Sequence, residues 1–205
     1  MVPVPRLVLV TDRRATAGRD LVDVVSAALE AGLPAVQLRE KDLPGGPLLV
    51  LAERLRAVTA RAGALFLVND RVDVAIAAGA DGVHLGGGSM PVADARALLP
   101  PGALVGVSTH APEELITTAD FVFFGPVHAT PSKAAFGPPQ GEARLAAAVR
   151  AARVPVVAIG GVTAANAVAA RAAGAAGVAV IRAILEAPDP AAATRALLDA
   201  THSTR

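Results

Sequence analysis

Cysteine, tryptophan and tyrosine are absent from this chain of 205 residues, and aromatic residues (five phenylalanines) make up only 2% of it. The lack of cysteine excludes disulfides, thiolate metal sites and cysteine nucleophiles. The scarcity of aromatic residues leaves valine, isoleucine, leucine and alanine to build the core. Hydrophobic residues are nevertheless 53% of the chain, which is enough for a large buried interior.

Other absences narrow the class of protein. No apolar stretch reaches the roughly 18 residues of a membrane span, and Asp12 interrupts the N-terminal apolar segment too early for a signal peptide. The net charge is +1 with scattered lysine and arginine, so no basic patch indicates nucleic-acid binding. We therefore expect a cytoplasmic enzyme of small-molecule substrates, with neither nucleic-acid nor membrane partners.

The chain repeats one unit eight times: an apolar run that ends in a polar residue or glycine, followed by an alanine-rich stretch with helical spacing. Apolar runs without alternation are typical of parallel strands buried on both faces. Eight units predict an α/β fold, a single (β/α)8 TIM barrel domain over residues 1–205, whose catalytic groups lie at the carboxyl ends of the strands. The predicted strands are Leu7–Thr11, Ala35–Glu40, Leu65–Asp70, Gly82–Gly86, Leu104–Ser108, Phe121–Val127, Val154–Gly161 and Gly177–Arg182.

Charged residues end the second predicted strand, in the segment VQLREK. Because alternate residues of a strand face the same side, we expect Gln37, Arg39 and Lys41 to point together toward the barrel mouth. Two cations and an amide would hold a multiply charged anion such as pyrophosphate there. The alternative is a salt-bridged strand end, with carboxylate partners among Glu40, Asp42 and Glu53.

Asn69 and Asp70 end the third predicted strand. A carboxylate at this position can hold Mg²⁺ while the amide contacts the substrate. The alternative is that they cap the following helix, because Asn and Asp favour the N-cap position.

The fifth strand ends in Ser108, Thr109 and His110. A histidine beside hydroxyls at a strand end could transfer protons at neutral pH. The alternative is a loop histidine bonded to the backbone. His84, inside the fourth strand, is interpreted as a structural or pocket-lining residue.

One connection is unusually long and rich in glycine and proline: the segment Ala129–Gly141 after the sixth strand. Long loops in compact barrels are usually functional, so we predict a mobile lid. Its Thr130, Ser132 and Lys133 could close over a phosphate and exclude water. The alternative is a solvated loop in which the lysine has no role.

Glycines and an apolar strand end mark the last two units, in AIGG and VAVIRAI. Backbone N–H groups after strands seven and eight, with a helix N-terminus, form the usual phosphate site of these barrels. Gly160 and Gly161 would let a phosphate approach the main chain closely. A phosphate here and an anion at strand two imply two phosphorylated groups in one mouth.

Seven motifs in this order resemble the thiamine phosphate synthase/TenI family over nearly the whole chain. They are TDR, VQLREK, LVNDRVDVAIAAGADGVHLG, GVSTHAPEE, GPV-x-x-T-x-SK, AIGGVT and GVAVI. The resemblance implies a (β/α)8 barrel of thiamine biosynthesis. Synthase members of the family join a hydroxymethylpyrimidine pyrophosphate to a thiazole phosphate and release pyrophosphate.

The resemblance also implies roles for individual residues. Pyrophosphate would be held by Gln37, Arg39, Lys41 and Lys133. Asn69 and Asp70 would serve the pyrimidine and Mg²⁺, with Asp70 as the metal ligand. Substrate contacts would come from Ser108, Thr130 and Ser132, and the thiazole phosphate would be held by Gly161 and the Ile181 backbone. Gly160, from its position after strand seven, and Arg182, after strand eight, are further candidates for phosphate binding. The catalytic candidates are Lys41, Lys133, Ser108 and His110.

Two positions depart from the synthase pattern. Ser89 stands where an aspartate is usually the second Mg²⁺ ligand, and Arg182 stands where a serine usually follows strand eight. The TenI-type thiazole tautomerases lack that aspartate, need no metal and use a histidine that matches His110. Lys41 favours the synthase, because a tautomerase substrate carries a single phosphate.

Two further hypotheses concern function and assembly. A non-catalytic ligand-binding barrel is the third hypothesis for function. The alanine-rich outer helices permit a homo-oligomer.

Overall fold

The short apolar runs form strands whose residues are almost all buried, as every residue of the first strand is. The computed structural model describes residues 4–111, 118–130 and 138–202. Its eight parallel strands close into a barrel in chain order, which confirms the predicted (β/α)8 fold. The strands are β1 Leu7–Val10, β2 Ala35–Leu38, β3 Leu65–Asn69, β4 Gly82–Leu85, β5 Leu104–Thr109, β6 Phe121–Phe124, β7 Val156–Ile159 and β8 Gly177–Val180.

Helices cover the outside of the barrel. Asp20 caps the first of them by accepting hydrogen bonds from the Val22 and Asp23 N–H groups, and Gly63 ends the second in the left-handed conformation. The helices are α1 Leu21–Glu30, α2 Gly45–Ala62, α3 Val72–Ala77, α4 Val92–Leu98, α5 Gly141–Ala151, α6 Ala164–Ala172, α7 Arg182–Leu185 and α8 Pro190–His202, with a 3-10 turn at Arg13–Ala15.

Two apolar layers result from the alternation of side chains along each strand. The outer layer packs strands against helices, and the inner layer fills the barrel itself. Phe121 and Phe123 occupy this inner layer, so the few aromatic residues contribute more to the core than composition suggested. Gly106 makes room for them, since a Cβ there would lie 2.2 Å from an atom of the Phe121 ring.

Several strands end earlier than the sequence predicts. β2 stops at Leu38, and the next N–H group, that of Arg39, bonds to the Thr11 hydroxyl at 2.8 Å instead of to a backbone carbonyl. β8 stops at Val180, and Ile181 (φ −119°, ψ −83°) turns the chain directly into α7. The polar residues expected on strands therefore lie partly on the loops that follow them.

Candidate active site

Three polar side chains meet inside the barrel near the carboxyl ends of β2, β3 and β4. Gln37 Nε2 lies 3.3 Å from Asn69 Oδ1 and 3.5 Å from His84 Nδ1. The register pairs Asn69 with His84 across β3 and β4, which brings the two side chains to the same level. Gln37 is 1% exposed, and its Oε1 has no hydrogen-bond partner among the described residues. An unpaired acceptor at this depth is costly unless a ligand supplies a donor.

His84 is an uncharged member of this group at neutral pH. Burial lowers the pKa of His84 to about 4 and outweighs the opposing effects of the Val107 carbonyl and the Asp70 charge. Its ring packs on Phe123, with the ring centroids 4.3 Å apart. This placement agrees with the structural or pocket-lining interpretation of His84.

Asp70 is oriented toward the loop after β4. Its Oδ1 accepts hydrogen bonds from the Gly86 N–H at 3.3 Å and from the Ser89 hydroxyl, while its Oδ2 accepts one from Asn69 Nδ2 at 2.8 Å. The N-cap position of α3 belongs to Arg71, and no side chain caps that helix. The capping alternative is therefore wrong for Asp70, whose carboxylate instead faces the barrel mouth.

Asp70 and Ser89 are the groups that fit a metal ion best. The two oxygens lie within hydrogen-bonding distance of each other, so Ser89 occupies the neighbourhood in which a second ligand would be needed. No group of three or more histidine or carboxylate side chains with metal-binding geometry occurs in the part of the chain that is described. Mg²⁺ needs only one or two carboxylates when substrate phosphates complete its coordination, so this set fits a magnesium ion that arrives with a diphosphate.

The carboxylates in the loop after β2 bind cations other than Arg39 and Lys41. Glu40 pairs with Arg13 at 3.0 Å, and Asp42 pairs with Arg13 at 2.5 Å and with Arg14 at 2.7 Å. Neither Arg39 nor Lys41 forms an ion pair within residues 4–111, 118–130 and 138–202. The salt-bridged alternative is therefore wrong, because other arginines hold the carboxylates on either side of Lys41.

The positions of these two cations differ. Arg39 is half-buried and Lys41 is exposed. Lys41 lines a cavity together with Asn69 and Asp70, between the ends of β2 and β3. The predicted alternation extends only from Gln37 to Arg39, because β2 has ended before Lys41.

Ser108 and His110, at the end of β5, differ in their exposure and in their contacts. Ser108 is half-buried on the strand, in register with Phe123 of the inner layer. His110 is exposed, and its Nδ1 lies 2.6 Å from the Gly125 carbonyl oxygen. This contact matches the backbone-bonded alternative and also fixes the orientation of the ring.

The predicted lid is only partly within the described residues. Thr130 is half-buried and ends the described segment 118–130, at the mouth side of β6. Ser132 and Lys133 lie outside the described residues, so their predicted roles stay predictions.

The glycines after β7 are required by the packing of the loop after β6. Gly160 and Gly161 have φ values of +95° and +63°, and a Cβ on Gly161 would lie 2.4 Å from the Ala129 carbonyl oxygen. Among the described residues, no turn or loop hydrogen bond joins either N–H group to another backbone carbonyl. Anion binding by these N–H groups stays a prediction. Arg182 is exposed, and its Nε lies 3.3 Å from Glu186 Oε1.

Comparison with known proteins shows the family to which this chain belongs. The family model described as thiamine monophosphate synthase matches residues 7–184, from β1 to α7. The chain belongs to the thiamine monophosphate synthase family. This confirms the resemblance drawn from the sequence motifs, and the matched segment contains every candidate site residue.

Relatives of this family match the chain along nearly its full length. A thiamine-phosphate synthase of Roseiflexus castenholzii is 47% identical over 93% of this chain and 86% of its own. One from Methanoculleus marisnigri is 48% identical over 94% of this chain and 93% of its own. The solved thiamine phosphate pyrophosphorylase of Pyrococcus furiosus superposes with a TM-score of 0.86 at 36% identity, covering 96% of this chain and 95% of that one. These names agree with the synthase interpretation, and none of the three is a tautomerase.

The described helices also bear on membrane association. None of them combines the length and the apolar character that a membrane crossing requires.

Proposed function

We propose that the chain joins a hydroxymethylpyrimidine pyrophosphate to a thiazole phosphate, forming thiamine phosphate and releasing pyrophosphate. The family and its relatives support this reaction. We also propose that the enzyme acts in the cytoplasm on these small phosphorylated molecules, without nucleic-acid partners. We also propose that copies of this chain form a homo-oligomer.

The observation that carries the proposal is the pair of cations at the end of β2. Arg39 and Lys41 have no ion-pair partner among the described residues, while Arg13 and Arg14 occupy the neighbouring carboxylates. Two cations without a counter-ion at one strand end favour a multiply charged anion. The diphosphate of the pyrimidine substrate is such an anion, and Lys41 lies beside Asp70 in the same cavity.

Gln37 and Asn69 would orient the pyrimidine ring. Gln37 Oε1 is a buried acceptor without a partner, and the aminopyrimidine ring carries an amino donor. Asn69 holds the Gln37 amide at 3.3 Å and therefore fixes the direction of that acceptor. The ring would then lie deeper in the barrel than the diphosphate, because Gln37 precedes Arg39 along β2.

The thiazole phosphate would bind on the opposite side of the mouth, after β7 and β8. Gly160 and Gly161 follow β7, and the Ile181 backbone follows the neighbouring strand β8. Arg182 would add a charge there after leaving Glu186, which holds it at an exposed position. Two separate anion sites would thus fix the two substrates relative to each other.

The reaction needs no protein nucleophile. The bond between the pyrimidine methylene carbon and the diphosphate oxygen breaks, and the oxygen keeps the electron pair. The electron-rich aminopyrimidine ring stabilises the resulting cation, and the thiazole nitrogen then donates its lone pair to form the carbon–nitrogen bond. Arg39 and Lys41 stabilise the charge on the leaving diphosphate, with Lys133 and Ser132 predicted to assist. The gain comes from positioning and from charge stabilisation.

Asp70, with Ser89 beside it, would hold Mg²⁺ in this site. A bound magnesium ion supplies charge neutralisation for the diphosphate. Because Ser89 is neutral, the chain would contribute one carboxylate, and water or diphosphate oxygens would complete the coordination.

The proposal is tested by mixing the purified protein with both substrates, with Mg²⁺ or with EDTA, and following thiamine phosphate. We expect Mg²⁺-dependent product. Lys41→Ala should raise the KM for the pyrimidine diphosphate by about tenfold, the usual scale for one lost charge-assisted contact. Arg61→Ala is the control, because it removes an exposed charge from the last turn of α2. Absence of product with and without metal would refute the synthase proposal.

A second candidate function has one observation in its favour. The Gly125 carbonyl fixes the orientation of the His110 ring at 2.6 Å, as a proton-transferring histidine requires. If the chain isomerised a thiazole carboxylate phosphate in EDTA, and if His110→Ala abolished that turnover, the tautomerase would replace the synthase.

A further inference from the structure

The cation pair at the end of β2 lies within a segment of alternating charge, Arg39-Glu40-Lys41-Asp42. Carboxylates this close in the chain could neutralise the cations and compete with an incoming diphosphate. The anion site therefore depends on where Glu40 and Asp42 direct their charge.

Arg13, on the loop between β1 and α1, binds both carboxylates. Its Nη1 donates to Glu40 Oε2 at 3.0 Å and to Asp42 Oδ1 at 2.6 Å, and its Nη2 donates to Asp42 Oδ2. Its backbone N–H donates to Glu40 Oε1 at 3.0 Å. One residue thus contacts all four carboxylate oxygens. Only arginine has a planar fork that can satisfy such a set.

The two pairs differ in burial. The Glu40 side chain is 2% exposed, so its charge has little access to water and depends on Arg13. Asp42 is more exposed and shares a second partner, Arg14, whose side chain is 72% exposed. The Arg13 guanidinium, hydrogen-bonded to Asp42, holds the pKa of that carboxyl well below its usual range. Arg13 therefore supplies the opposite charge to both carboxylates.

A buried threonine holds the Arg13 backbone in place. The Thr16 hydroxyl donates to the Arg19 carbonyl at 2.7 Å and lies 3.1 Å from the Arg13 carbonyl. Thr16 is 1% exposed. Arg13 is therefore set by the fold and is not a free surface side chain that meets the β2 loop by chance.

We infer that Arg13 is a positioning residue for diphosphate binding, which acts by sequestering Glu40 and Asp42 so that Arg39 and Lys41 face the substrate unpaired. This inference rests on the proposed function, because it assumes that the diphosphate binds at Arg39 and Lys41. Arg13 itself need not touch the substrate. Its removal leaves Glu40 without a charged partner and Asp42 with Arg14 alone, next to the two cations that the anion needs.

The test compares Arg13→Ala with Arg14→Ala. Both changes remove a cation that contacts Asp42, but only Arg13 also contacts Glu40. Binding of inorganic pyrophosphate with Mg²⁺ is measured by calorimetry, and KM is measured separately for each substrate. We expect Arg13→Ala to weaken pyrophosphate binding by about tenfold or more and to raise the KM of the pyrimidine substrate alone. Arg14→Ala should change either value by less than about threefold.

A rescue experiment separates charge competition from loss of fold. Arg13→Ala leaves the buried Glu40 carboxylate without its charged partner and can destabilise the chain for that reason alone. The triple variant Arg13→Ala/Glu40→Gln/Asp42→Asn removes the competing charges, so it should bind pyrophosphate more tightly than Arg13→Ala does. Wild-type binding by Arg13→Ala, or a triple variant as weak as the single one, would overturn the inference.

Arg39→Ala shows which of the two proposals has failed. If Arg39→Ala weakens pyrophosphate binding and Arg13→Ala does not, the role of Arg13 falls and the proposed function stands. If neither change affects binding, the diphosphate does not bind at the end of β2, and both the location and the inference fall.

Discussion

The buried imidazole of His84 makes the free energy of unfolding of this barrel depend on pH in the acid range. Its pKa is about 4 in the folded protein, against the ordinary value of 6.5, because burial disfavours the charged form. The unfolded chain therefore binds a proton at a pH where the folded protein does not. His84 therefore leaves the free energy of unfolding undiminished above pH 6.5, and lowers it as the pH falls from 6.5 toward 4.

The size of the effect follows from this difference in pKa. Linkage gives a loss of about 2 kcal/mol in the free energy of unfolding at pH 5, and about 3 kcal/mol at pH 4. The protonated ring would also lie against the apolar rings of Phe121 and Phe123. Against a typical total stability of 5–15 kcal/mol, roughly, this is a large share.

Urea unfolding at pH 7.5, 6 and 5 measures the effect, followed by far-UV circular dichroism because the chain has no tryptophan or tyrosine. His84→Gln should remove this part of the pH dependence, since the amide does not titrate. His202→Gln is the control, because His202 is exposed at the end of α8 and should keep the wild-type slope. Parallel pH curves for wild type and His84→Gln would refute the reasoning.

Three further predictions concern the barrel mouth. Ser89→Asp should lower the Mg²⁺ concentration for half-maximal activity by about tenfold, with Ser89→Asn as the uncharged control and unchanged Mg²⁺ titrations as the contrary result. Gly161→Ala should cost about 2 kcal/mol or more in urea unfolding, because φ is +63° and the Cβ would lie 2.4 Å from the Ala129 carbonyl oxygen; wild-type stability would contradict this. Arg182→Ala should raise the KM of the thiazole phosphate, whereas Glu186→Ala, which only frees Arg182, should not; equal effects of both changes would count against a phosphate contact.

Sequence patterns located the candidate site because a parallel barrel brings all its strand ends to one edge. Gln37, Asn69 and Ser108 were each assigned to a strand end from the local sequence alone, and each lies there. Asp70 was correctly placed at the mouth, but its orientation toward Ser89 depends on the loop after β4 and could not be read from β3.

The partners of charged side chains were the least predictable feature. Local sequence made Glu40 and Asp42 equally plausible partners for Arg39 and Lys41, yet they bind Arg13, which is 27 and 29 residues away along the chain. Ion pairs depend on which loops approach each other, and the spacing of polar and apolar residues along the chain does not indicate which loops do so. Arg13 belongs to the TDR motif, and no local signal in the sequence indicates its contact with the β2 loop.

The sequence by itself determined the repeating strands and helices, because strands buried on both faces must be continuously apolar and their ends must be polar. It also determined the family, since ordered motifs at the strand ends occur together along the chain. The tertiary structure alone decided where the strands stop, that Phe121 and Phe123 fill the barrel, and which cations stay unpaired. Those features depend on contacts between segments distant in sequence, where packing space and opposite charges are supplied by other parts of the chain.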